Sequence, residues 1–117
     1  MSSKVESFQD LIVWQKAHKL TQDTFNAKFT KGGKLLGELT KERILDIPSN
    51  IAIGFKKRNK KAKVHFYREA LVALEEVNYL FILAKDLDCL KDAAAYSDEL
   101  ENINGHIRRL IRSNMNK

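Results

Sequence analysis

Apolar residues along this chain recur at alternating steps of three and four, the spacing that lines one face of an α-helix. The pattern is clearest near the end, where Ala93, Tyr96, Leu100, Ile103, Ile107 and Leu110 form a narrow stripe of the kind that packs in a bundle. Asp92 stands where an N-cap belongs, with Leu90 just before it. A third helix over about 61–87 carries Val64, Tyr67, Leu71, Leu74, Val77, Phe81 and Ala84 on one face, widened by Phe66, Ala73 and Leu80. A face that broad predicts burial on two sides. The first helix, about 10–29, uses Leu11, Trp14, His18, Thr21 and Phe25, flanked by Val13, Ala17 and Leu20, and Lys31-Gly32-Gly33-Lys34 ends it. The second, about 35–54, runs through Leu36, Leu39, Arg43, Ile47 and Ile51.

Pro48 falls inside that second helix and has no N–H to give the Ile44 carbonyl, so a kink is expected there, with the apolar spacing continuing across it. With one proline and five glycines, and no alternating apolar–polar runs, strands are not expected. The fold class is all-α: an up-down-up-down four-helix bundle, its second helix kinked at the proline. At 117 residues and 44% apolar, the chain fits a single domain over 1–117.

Charge changes this picture at one place. The segment 56–63 holds Lys56, Lys57, Arg58, Lys60, Lys61 and Lys63 and no acid. Removing these six from the 21 basic residues leaves 15 against 15 acidic ones, so the net +6 sits at the joint between the second and third helices. The bundle topology places that joint at the same end as the N-terminus and as Arg108, Arg109, Arg112 and Lys117. Cations in a last helical turn also complement the helix dipole, which accounts for the C-terminal arginines without a ligand. The joint resists that explanation better, because crowded like charges repel unless solvent or a polyanion screens them.

Catalytic and metal chemistry find little support. His18, His65 and His106 have no acid three residues before them, so the Glu-x-x-His pairs of di-iron bundles are absent. His18 is expected as a hydrogen-bonded interior or interface histidine. Glu75 and Glu76 are adjacent and point to different sides of their helix, which does not suit paired acid–base work. Gly33-Lys34 lacks the rest of a phosphate loop, and neither a nucleophile elbow nor a dinucleotide fingerprint is present. Cys89 is the only cysteine, expected as an apolar filler. No enzymatic activity, metal or cofactor is expected. Wholly apolar runs such as Leu80 to Ala84 are too short to span a bilayer, and Met1-Ser2-Ser3-Lys4 opens no signal-peptide core, so a soluble, cytoplasmic protein is expected.

Three stretches are recognisable in order and spacing: "FQDLIVWQKAHKL" at 8–20, "IPSNIAIG" at 47–54 and "EVNYLFILAKDL" at 76–87, with the basic linker between the last two. Together they resemble the four-helix-bundle family of proteins encoded in intervening sequences of bacterial 23S ribosomal RNA genes, over nearly the whole chain. Members are similar in fold to the accessory proteins of diversity-generating retroelements, which form pentameric barrels and bind nucleic acid and a reverse transcriptase. The resemblance implies a small homo-oligomer, a pentamer as the best single expectation, associated with nucleic acid. The chain departs from the family pattern where members carry a pair of arginines before Ile-Pro, a glutamate after Asn-Ile-Ala and a serine before the glutamate matched by Glu76. Here these places read Arg43 alone, Ile53 and Ala73.

The favoured function is nucleic-acid binding, RNA before DNA, at Lys56, Lys57, Arg58, Lys60, Lys61, Lys63, Arg108, Arg109 and Arg112. Phe55 and Phe66 are the only aromatic residues close by, and Phe66 is expected to pack inward, so backbone or shape recognition is favoured over base readout. The alternative is a structural or adaptor oligomer that holds a protein partner, the basic loop serving only solubility.

Overall fold

The computed structural model describes residues 5–115. Helices account for most of them: α1 Ile12–Asn26, α2 Lys34–Ile44, α3 Asp46–Lys56, α4 Lys60–Asp86 and α5 Ala93–Met115, preceded by a short 3-10 turn, Phe8–Asp10. α2 and α3 are two segments of the second predicted helix, separated by Leu45 alone, so the architecture is four helices with the second in two pieces. Leu45 itself keeps helical dihedrals, φ −58° and ψ −31°. Pro48 lies in the first turn of α3 and has no N–H to give the Ile44 carbonyl. Just past it, the Ser49 hydroxyl and the Asn50 amide donate to the Leu45 and Asp46 carbonyls at 2.6 and 2.8 Å.

The first helix is shorter than its periodicity predicts. At its start the Asp10 carboxylate accepts from the Glu6 and Ser7 amides, closing a capping box on the 3-10 turn. Leu11 then goes extended, and α1 begins only at Ile12. At its end Ala27 is extended, which lets Phe29 pair with Leu90 and Thr30 donate its amide to the Cys89 carbonyl at 2.8 Å. Both αα connections at this end turn through a left-handed residue, Lys31 (φ 53°) and Asp88 (φ 56°), whose side chains form an ion pair. That pair holds the Asp88 carboxyl below its ordinary pKa.

One core joins the helices, with Tyr67, Phe81, Ile44, Ile47, Ile51, Ile103 and Ile107 fully enclosed. Cys89 is buried in it as expected. α4 is the central element, packing on α2, α3 and α5. The Phe81 and Tyr96 rings lie 5.5 Å apart, and Arg68 reaches Met115, so α4 and α5 run in opposite directions.

Two stripes sit differently from their predicted positions. In α1 the buried set is Val13, Ala17, Leu20, Thr21 and Thr24, while Phe25 is exposed. His18 is exposed as well, not interior, with its ring stacked on half-buried Trp14 at 4.7 Å and 12°. In α2 and α3 the buried line is Leu36, Thr40, Ile44, Ile47 and Ile51, which leaves Leu39 and Arg43 outside. The enclosed threonines are tolerated because each hydroxyl donates to the carbonyl four residues back: Thr21 to Ala17, Thr24 to Leu20, Thr40 to Leu36.

Candidate nucleic-acid interface

The basic joint is short and sharply defined. α3 ends at Lys56, Lys57 turns extended (φ −72°, ψ 145°), and α4 restarts at Lys60. The restart is capped by Asn59, whose side-chain oxygen accepts from the Ala62 amide at 3.1 Å. Asn59→Ala removes that acceptor and is expected to cost about 1 kcal/mol of stability. Urea unfolding checks this as a lowered midpoint at constant slope, and an unchanged midpoint counts against the cap.

Gly54 sets how closely the two helices meet. A Cβ there would fall 2.8 Å from Tyr67 Cε1 and 3.3 Å from the Lys63 carbonyl oxygen. The Tyr67 ring occupies that space, buried enough to raise its phenol pKa.

The six basic side chains of the joint do not share one role. Lys63 is half-buried and its ammonium donates to the Phe55 carbonyl at 2.6 Å, with the Gly54 carbonyl at 3.4 Å and the Phe55 ring centroid at 5.3 Å. It thus caps the C-terminal end of α3, where a cation meets the negative end of the helix dipole. Desolvation lowers its pKa from the ordinary lysine value. Lys57 stays exposed with its ammonium 5.2 Å from the Phe66 centroid, a cation–π contact. Phe66 itself is half-buried and meets His65 edge-on at 4.9 Å, so it is less inward than predicted. Lys56, Lys57, Arg58, Lys60 and Lys61 are all exposed, and among the described residues none of them pairs with a carboxylate.

The C-terminal arginines are exposed but divide between two sides of α5. Arg108 donates to the Asn104 side chain at 3.1 Å and shares a helical face with Arg112 and Met115. Met115 approaches the start of α4. Arg109 instead lines a groove toward α1 with Val5, Asp10, Ile12 and His106. Desolvation, then Arg109 and Lys16, lower the His106 pKa against an opposing pull from Glu99. Lys117 lies outside the described residues.

The basic run at 56–63 leaves out His65 and Arg68, which the structure adds to it. With Lys61 they fall at steps of four and three on the outer face of α4, a spacing that extends the basic run by two turns. All three are exposed. Among the described residues no three His, Cys, Asp or Glu side chains come together as a metal-ligand set, and no helix is long and apolar enough to cross a membrane.

These features define an all-α helical-bundle protein with a concentrated basic surface at one helix–helix joint. The family model described as 23S rRNA-intervening sequence protein matches residues 9–113. The chain belongs to that family, in agreement with the resemblance carried by its opening motif and by Ile47-Pro48-Ser49-Asn50-Ile51-Ala52. No curated protein matches it.

Proposed function

We propose that the protein is a non-enzymatic, cytoplasmic homo-oligomer that binds nucleic acid, RNA in preference, by its phosphate backbone through the α3–α4 joint. One observation carries this reading: five exposed basic side chains, Lys56, Lys57, Arg58, Lys60 and Lys61, stand without carboxylate partners among the described residues. Such an arrangement is repulsive alone and favourable against a polyanion. Both nearby aromatic rings lie beneath lysine ammonium groups, which supports backbone contact over base stacking. The family's description, naming a ribosomal RNA intervening sequence, favours RNA.

Assembly is supported by an apolar stripe left in solvent. Val72, Tyr79 and Ile82 are 55%, 59% and 46% exposed on the outer face of α4, and Leu39 meets Tyr79 in the groove beside it. A lone bundle gains nothing from wetting such a face. On this reading the helices run up-down-up-down with the second bent at Pro48, and five copies form a ring that repeats the joint around its rim, so that local contacts add along one nucleic acid.

Titrating binding of a single-stranded RNA against salt tests the function. The expected log–log slope is about −0.7 per phosphate contact, or about −0.9 on duplex. Affinity indifferent to salt rejects backbone recognition. Light scattering on the same sample is expected to give a multiple of 13.5 kDa, and the mass of one chain rejects the oligomer.

A further inference from the structure

Between the first two turns of α4 and the end of α5 lies an open cleft of about 460 Å³, lined by Lys60, Lys61, Val64, His65, Arg68, Asn114 and Met115. Its composition sets it apart from the other grooves. Those lined by Lys16 and Lys19, by Arg109, by Lys91 and by Arg43 each carry at least one carboxylate: Asp23 and Glu99, Asp10, Asp92, and Glu75 with Glu76 respectively. Among the described residues, the cleft at the start of α4 has none. Two lysines, an arginine and a histidine therefore share one cleft with no carboxylate beside them among the described residues.

The strongest anion ligand in the cleft is Arg68. Its guanidinium offers five N–H donors in a planar fork, yet among the described residues it donates only from Nη2 to the Met115 thioether at 3.6 Å, a weak acceptor. That contact aims the fork across the cleft toward α5. Exchanging a thioether for a phosphate oxygen is favourable, and the fork matches two phosphate oxygens at once. Lys61 and Lys60 stand about two turns before Arg68 in the same cleft, toward the basic joint. Val64 and Met115 give the cleft an apolar side.

We infer that this cleft is a phosphate-ester subsite, with Arg68 as its bidentate ligand and Lys60 and Lys61 beside it. The inference rests on the nucleic-acid reading above and extends it to a defined place. Two sources share the chemistry, a backbone phosphodiester and a terminal phosphate monoester.

Two measurements test it. In the first, inorganic phosphate is titrated into the isotopically labelled protein at constant ionic strength, with chloride as the control. Amide shifts are expected at Lys60, Lys61, His65, Arg68 and Asn114, present in the native protein and lost in Arg68→Gln. In the second, anisotropy follows a short single-stranded RNA carrying either a 5′-hydroxyl or a 5′-phosphate. Arg68→Gln is expected to weaken binding about threefold to tenfold and to flatten the salt slope by about one contact, and Arg68→Lys to restore the slope better than the affinity. Arg68 is exposed, so both variants are expected to fold. Equal affinity for the two RNA ends assigns the backbone phosphodiester. A gain from the 5′-phosphate that vanishes in Arg68→Gln assigns the monoester. Native binding with an unaltered Arg68→Gln affinity and slope overturns the subsite and leaves the nucleic-acid reading standing. Phosphate shifts at the cleft without RNA or DNA binding keep the subsite and overturn that reading; neither signal overturns both.

Discussion

Replacing Lys56, Lys57, Arg58, Lys60 and Lys61 together by glutamine is expected to weaken nucleic-acid binding at least tenfold, about 1.4 kcal/mol, and to flatten its salt dependence. The five side chains are exposed and form no ion pair among the described residues, so their removal leaves the core intact and gives up only the Lys57 contact with the Phe66 ring. It also takes away five of the six net positive charges. Lys63 is kept in this variant because its ammonium sits on the Gly54 and Phe55 carbonyls, where glutamine would disturb the end of α3 as well as the charge. Helicity by circular dichroism and mass by light scattering should match the native protein. If they match and binding keeps its affinity and slope, the interface lies elsewhere, and the face of α5 that carries Arg108 and Arg112 becomes the first place to look. The drop should be steepest at low salt, where surface charges act over the longest range.

Gly54→Ala is expected to destabilise the fold even though alanine is the better helix former. Within α3 the exchange would gain at most about 1 kcal/mol of helix propensity. Against this, the new methyl would lie 2.8 and 2.9 Å from two carbons of the Tyr67 ring and 3.3 Å from the Lys63 carbonyl oxygen. The ring cannot swing clear, because Tyr67 is 2% exposed and packed into the core. Either α4 moves off α3 or the ring leaves its rotamer, an overpacking cost of about 1–3 kcal/mol. A lower urea midpoint at unchanged slope is the expected result. Because the contact lies one turn from the joint, the same change should weaken the Lys63 cap and reduce RNA affinity modestly. A midpoint equal to or above the native one would mean that the two helices are not held this closely.

Much of this architecture is written in local chemistry. A three-and-four spacing of apolar residues predicts helices over about 35–54 and 61–87 and a last one through Leu110, close to the elements observed. Pro48, with no N–H to give the Ile44 carbonyl, marks the first of these as the one to be interrupted. The clustering of charge at 56–63 is likewise plain from the chain alone, as is the family through its opening and Ile-Pro-Ser-Asn-Ile-Ala motifs. Periodicity, however, says which residues share a face and not where the buried arc is centred, since neighbours along a helix differ by only about 100°. That choice belongs to the neighbouring helices. They enclose Thr24 and Thr40, whose hydroxyls bond within their own helix, and leave His18, Phe25, Leu39 and Arg43 outside. Charge roles divide in the same way: only packing shows that Lys63 belongs to the α3 carbonyls, that Lys57 rests on Phe66, and that Arg109 faces a different groove from Arg108. Arg68 and Met115 are 47 residues apart in the chain. No local pattern could join them, because their meeting depends on the antiparallel return of α5 along α4, and a cleft between two helices exists only once both are in place.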